Sequence, residues 1–279
     1  MNRKILVSAG FIIVIALTGC SAFLKSKGFH PDFEGKQYDL TGKKALIVTT
    51  SHGVLNKPGE SDGKSTGVFA SEMTVPYYEF LAANMEVNVA SIQGGEIPIE
   101  RQSLRRYLRT ESDERYLKDD TFREKVKNSI SVEDVDFTDY DVVFFSGGWG
   151  AAYDMGQSEV LAQKVSQAYY NSDLIFGSVC HGALAFTAAK DSTGQPLIKG
   201  RKITGVTQKQ LKEINVAFTP LHPEEELRNA GADYQFSTGK RDLFQTLTVV
   251  DEEKRFVTGQ NQNSGHETAQ KILEILSNR

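Results

Sequence analysis

The chain of 279 residues is short of cysteine, proline and tryptophan, with two, seven and one respectively. Two cysteines allow at most one disulfide, so a core must come from packing rather than from cross-links. Few prolines beside 24 glycines suit one large α/β domain or two small ones, and no linker divides the chain. Positive charge is not in excess either: the formal net charge is −4, which leaves no electrostatic footprint for nucleic acid. Mean hydropathy of −0.35 argues against a polytopic membrane protein. Internal repeats and low-complexity tracts are missing. The Gly/Ser/Asp-rich stretch 51–67 contains no G-x-x-x-x-G-K-[ST] pattern, so it reads as a mobile lip and not as a phosphate loop.

One apolar run stands at the N-terminus. Asn2-Arg3-Lys4 is basic, and residues 5–17 are apolar but too few for a comfortable membrane span. The run ends in Leu17-Thr18-Gly19-Cys20, which resembles the bacterial lipobox. That resemblance implies a lipoprotein signal peptide over 1–19, lipidation of Cys20, a lipidated tether over 20–42 and a domain over 43–279. It further implies a partner, the membrane, reached through the N-terminal lipid, and a place in the bacterial cell envelope outside the cytoplasm. Ser21, rather than Asp, follows the cysteine, which in a Gram-negative cell points to the outer membrane. If Cys20 carries lipid, Cys180 is a single free thiol left in an oxidising compartment, and that favours a reactive role over a packing one.

Cys180 lies in G-S-V-C-H-G-A, residues 177–183. An apolar run, 174–179, leads in, and a small-residue run, 183–189, leads out, which predicts strand, tight turn and helix. Gly177 and Gly182 are expected to supply the positive φ that such a corner needs. A thiol there would project into the crevice at the carboxyl ends of the strands, and a helix start would favour its thiolate. Other apolar runs at 45–50, 87–92 and 140–146 read as buried strands, with shorter ones at 203–206, 246–250 and 256–258. Helical patterns cover 68–83, with Pro76 expected to kink or break it, and also 158–170, 223–230 and 264–276. Residues 101–132 are charge-rich and balanced in sign, and read as two or three surface helices. Strands alternating with helices predict an α/β fold: a flavodoxin-like three-layer sandwich with a mostly parallel sheet.

Three further stretches carry unusual residues. They are T-G-V-F-A-S-E-M-T-V-P-Y-Y-E-F at 66–80, A-S-I-Q-G-G-E-I-P at 90–98 and D-Y-D-V-V-F-F-S-G-G-W-G-A-A-Y-D-M at 139–155. Together with S-V-C-H-G at 178–182, the chain resembles the PfpI-type superfamily, which shares its fold with class I glutamine amidotransferases. The likeness is greatest to its heat-shock chaperone branch, which includes glutathione-independent glyoxalases. The resemblance implies Cys180 as nucleophile, His181 as the histidine after it, and Glu72 as proton shuttle beside the thiol. Gly148 and the backbone N–H of His181 would form the oxyanion hole. The implied substrate is a small 2-oxoaldehyde such as methylglyoxal, with no cofactor, and a second copy of the chain is a candidate partner.

The sequence departs from that branch in one place. Thr204-Gly205-Val206-Thr207 is followed by Gln208, Lys209, Gln210 and Leu211, where the branch has an acid that orients the histidine. Glu213 is the first acid available, so either it serves by a shifted turn or the site works as a Cys180–Glu72 pair. His222-Pro223-Glu224 imitates the His-x-Glu of glutamine amidotransferases but reads better as a helix start. No metal site can be matched among His30, His52, His222 and His266. The competing readings are a holdase chaperone, a redox-sensing thiol, and a peptidase or amidase that would need a well-oriented His181.

Overall fold

Each inner strand alternates between two apolar faces, and that alternation organises the whole molecule. The computed structural model describes residues 23–215 and 218–279. The expected signal peptide and Cys20 lie outside the described residues. The strands are Lys44–Thr49 (β1), Val54–Leu55 (β2), Lys64–Ser65 (β3), Glu86–Ser91 (β4), Ile130–Ser131 (β5) and Val142–Phe145 (β6). Ile175–Val179 (β7), Lys202–Ile203 (β8), Asp233–Tyr234 (β9), Thr248–Val250 (β10) and Phe256–Gly259 (β11) follow. From residue 70 onward the α-helices are Ala70–Ala82 (α1), Glu111–Tyr116 (α2), Asp120–Lys127 (α3) and Ala151–Asp154 (α4). Glu159–Asn171 (α5), Gln208–Glu213 (α6), Pro223–Asn229 (α7) and Gly265–Ser277 (α8) follow.

Seven strands form one sheet in the order β10-β11-β7-β6-β1-β4-β5. All pairs are parallel except β10 with β11, so the expected mostly parallel sandwich is what the chain adopts. Ala45, Ile47, Val142, Phe144, Ile175 and Val179 face one layer, against residues of α1, α3 and α8. Leu46, Val48, Val143, Phe145, Leu174 and Phe176 face the other, against α4, α5, α7 and the turn after β7. Burial on both faces explains the unbroken apolar runs.

Several local expectations are corrected. Pro76 does not break its helix; α1 runs through it. The stretch 101–132 gives two helices and also an edge strand, β5, which its charge concealed. β8 leaves the main sheet and pairs with β9. The lip 51–67 carries a small hairpin, β2 with β3. The stretch read as tether is docked at its far end: Phe29 and Leu40 are buried, and backbone N–H groups of His30 and Leu40 donate to Asn263 and to the Ala83 carbonyl.

The glycines of the cysteine turn act differently from expectation. Neither Gly177 nor Gly182 has positive φ, whereas Cys180 itself does, at 59°. What the glycines provide is room. A Cβ on Gly177 would stand 2.5 Å from Phe144 and 2.7 Å from Ile272, and one on Gly182 would stand 2.1 Å from the Phe145 carbonyl oxygen. After the turn the chain winds as a 3₁₀-helix, Cys180–Phe186, in place of the expected α-helix.

Candidate active site

β7 ends at Val179 and delivers Cys180 at the carboxyl edge of the sheet, the edge where open α/β sheets bind ligands. A non-glycine residue at positive φ is held under strain of roughly 1–3 kcal/mol and persists only when its surroundings enforce it. Here they do. Gly182 lies tight under Phe145, and Gly205 approaches the Cys180 carbonyl oxygen so closely that its Cβ would be 3.1 Å away. Tyr234 fixes that second contact by donating its hydroxyl to the Gly205 carbonyl at 2.8 Å. Cys180 is 6% exposed.

Glu72 enters from the first turn of α1 and is 2% exposed. Its helix is aimed by main-chain bonds on both sides: Phe69 N–H donates to the Gly147 carbonyl, and Ala70 N–H to Ser103 Oγ. The Glu72 carboxyl faces the thiol of Cys180 and the N–H of Gly147, and burial pushes its pKa up to about 8 against those two groups. Its Oε2 is sealed from solvent and has no well-formed hydrogen bond among the described residues. Gly147 must be glycine because a Cβ would lie 2.4 Å from that oxygen and 2.7 Å from His181 N.

The N–H groups of His181 and Gly148 both face the Cys180 sulfur and favour its thiolate, while burial and the Glu72 carboxylate push the thiol up more strongly. The expected helix-start activation is thus outweighed. Two adjacent negative charges in a sealed site are costly, so thiol and carboxyl together retain at least one proton. Gly148 has φ of 103°, and its Cβ would meet Phe69 N at 2.4 Å.

Cys180, His181, Glu72 and Gly148 are therefore brought together. His181 Nδ1 lies 3.3 Å from Cys180 Sγ, and the ring packs against Trp149 with centroids 4.9 Å apart. Burial first, and His222 second, press the His181 pKa down to about 3, so its ring is neutral. Glu213 does not join it. Both its carboxylate oxygens accept backbone N–H groups, from Asp242 and Leu243, and it caps a different turn. Gln210, in the stretch where the acid was sought, is buried and bonded to Gln262 and Asn261.

Sequence reasoning missed Gly147, whose N–H serves Glu72, and Trp149, which walls the histidine. Both sit in the G-G-W-G turn, whose glycine pair was the available signal. His30, His52 and His266 are dispersed: His30 beside Asn263, His52 stacked on Tyr153, and His266 paired with Glu79. Among the described residues no group of three or more His, Cys, Asp or Glu is placed to hold a metal.

A parallel α/β sandwich with a cysteine on a strained strand-end turn and a buried carboxyl against its sulfur is a doubly wound α/β protein with a cysteine–carboxyl pair at the carboxyl edge of its sheet. The sequence model of the DJ-1/PfpI family matches residues 65–275, and the chain belongs to that family. It is 33% identical over 239 residues to Glyoxalase 3 of Candida albicans, covering 82% of this chain and 97% of that protein. It is 31% identical to the glutathione-independent glyoxalase HSP31 of Saccharomyces cerevisiae, covering 86% and 100%. Among solved structures, Rapid Encystment Protein 24 KDa of Francisella tularensis superposes with a TM-score of 0.74 at 32% identity, covering 84% of this chain and 99% of that one. Glyoxalase III of Candida albicans superposes with a TM-score of 0.70 at 30% identity, covering 83% and 96%.

Proposed function

We propose that this protein is a glutathione-independent glyoxalase that converts small 2-oxoaldehydes, methylglyoxal among them, into 2-hydroxy acids. The observation that carries the reading is the buried Glu72 carboxyl against Cys180. Its Oε2 has no well-formed hydrogen bond among the described residues, and its pKa of about 8 lets it hold and release a proton near neutrality.

The chemistry follows from that pair. Cys180 sulfur adds to the aldehyde carbon as its proton leaves through the His181 ring, and the Glu72 carboxyl gives its own proton to the former carbonyl oxygen, leaving a hemithioacetal and a Glu72 carboxylate. The oxygen that gains negative charge meets the N–H groups of Gly148 and His181, which are already turned toward the sulfur. Glu72 carboxylate then takes the hydrogen from that carbon, the hydroxyl proton on its oxygen passes to the neighbouring oxygen through an enediol, and Glu72 returns its proton to the neighbouring carbon. The result is a 2-hydroxyacyl thioester on Cys180. Water cleaves it, releasing the hydroxy acid and restoring the thiol. Nothing is oxidised or reduced overall, because one carbon gains what its neighbour loses.

The expected result is methylglyoxal loss matched by lactate formation in buffer free of glutathione, abolished in Cys180→Ser. Turnover unchanged in both Cys180→Ser and Glu72→Gln would sink the mechanism. The envelope setting is a separate part of the proposal. It rests on the sequence Leu17-Thr18-Gly19-Cys20 alone, read as the site where a lipid is attached to Cys20. In that setting the enzyme meets aldehydes outside the cytoplasm.

A further inference from the structure

His181 has a partner on one side of its ring and, among the described residues, none on the other. Nδ1 faces the Cys180 sulfur at 3.3 Å, and when the thiol donates to it, Nε2 carries the ring hydrogen. That Nε2 is sealed from solvent without a hydrogen-bond partner among the described residues. A buried donor left unpaired costs about 1–3 kcal/mol. A second orphan is His222 Nδ1, which is also sealed and without a hydrogen-bond partner among the described residues, although His222 as a whole is only part-buried. The two rings are within electrostatic reach, since a charge on His222 disfavours one on His181.

The fold holds His222 in place. It is the N-cap of α7, with Pro223 as the first helical residue, buried, and Leu227 fully buried one turn on. Leu227 packs close to Gly205, beneath the cysteine turn. Just before the helix, Leu221 packs where a Cβ on Gly156 would also approach Leu184, inside the 3₁₀-helix that follows Cys180. The segment carrying His222 is therefore anchored to the same turn that carries His181.

We infer that His222 is the positioning partner of His181, its Nδ1 accepting the Nε2–H of His181 through one bridging water. In this chain it takes the place for which Glu213 was a candidate, and the inference rests on Cys180 being the reactive thiol. The proton balance is simple. The Cys180 S–H bond breaks and its proton goes to His181 Nδ1, while the proton on His181 Nε2 moves on to His222 Nδ1. A thiolate, a neutral His181 and a cationic His222 remain. The charge thus ends on the imidazole that reaches water rather than on the buried one. His181 needs no net charge at any stage before or after the transfer, which suits its sealed pocket.

The test uses the full chain with His222→Leu, His222→Asn and His222→Gln, each compared with wild type in thermal midpoint. Asn places its carbonyl oxygen where Nδ1 was; Gln places it where Nε2 was. The readouts are the alkylation rate of Cys180 by iodoacetamide at neutral pH and kcat and KM for methylglyoxal. The expected result is a loss of roughly tenfold or more in both rates for His222→Leu at unchanged KM, with His222→Asn within about threefold of wild type. In a His181→Leu background, His222→Leu should add no further loss. A His222→Leu protein within about twofold of wild type, equal losses in Leu and Asn, or additive losses with His181→Leu would each overturn the inference. If His222→Leu fails to fold, Asn against Gln decides: Asn fast and Gln slow supports it, and equal rates overturn it. Alkylation needs no aldehyde, so failure of the glyoxalase reading alone would show as absent lactate with the alkylation pattern intact.

Discussion

Glu72 is a carboxylic acid placed where water does not reach it, and its protonation is tied to the stability of the whole chain. Its ordinary pKa of 4.5 applies in the unfolded state, and about 8 in the folded one. Between those values the unfolded chain has lost the proton and the folded chain has kept it. Folding stability from this group is therefore full below about pH 4.5 and falls as pH rises toward 8. Glu72→Gln removes the titration while keeping the shape. Its thermal midpoint relative to wild type should rise steadily from pH 5 to pH 8, measured by calorimetry or circular dichroism. A midpoint difference that stays flat over that range would show that Glu72 is ionised in the folded protein. At this scale the meeting of Cys180, His181, Glu72 and Gly148 in space was legible from motifs, because three of them sit at strand-end turns and Glu72 in the first turn of a helix. Of the two alternatives the sequence left open, Glu213 is the one whose carboxylate is engaged elsewhere, because proximity in sequence to Thr207 says nothing about which turn it caps.

At the scale of elements, the cysteine turn depends on close approach. β7 crosses beneath Phe144 and Ile272, and Gly177 leaves no room for a side chain. Gly177→Ala should destabilise the protein by about 1–3 kcal/mol, the usual effect of overpacking a filled core. Urea unfolding checks this, and a midpoint equal to wild type would mean the two layers yield freely. The sequence marked this position with glycine but not the reason, since φ and crowding leave the same residue type. Strand order was equally beyond reach: β5 at the sheet edge is two residues in a charged stretch, and β8 could not be told from a sheet member by its apolar character. Helix α1 passed over its proline because Pro76 falls within a run of buried residues, and tertiary packing outweighed the local preference.

For the whole molecule, the alternation of apolar strands with helices was enough to give the parallel sandwich, since strands buried on both faces read as continuous apolar runs. Where the domain begins was less legible. Residues from Phe29 onward look like linker by composition, yet they dock against α8 and the end of α1 through main-chain donors that leave no pattern in sequence. The proposed lipid anchor belongs to this scale as well. Cys20→Ala should move the full-length protein, expressed in a bacterium, out of the membrane fraction, and metabolic labelling with radioactive palmitate should lose its band. An unlabelled wild-type protein would remove the anchor from the account and leave the catalytic reading untouched.

The central claim is that Cys180 and Glu72 act as a pair, one forming the bond and the other moving the proton. Glu72→Gln keeps the thiol and its two N–H neighbours but cannot take up a proton. Lactate formation from methylglyoxal without glutathione, measured for this variant beside wild type, tests the pair most directly. The account predicts a fall of roughly 10²–10⁴-fold while iodoacetamide still alkylates Cys180. Lactate formed at the wild-type rate would contradict it.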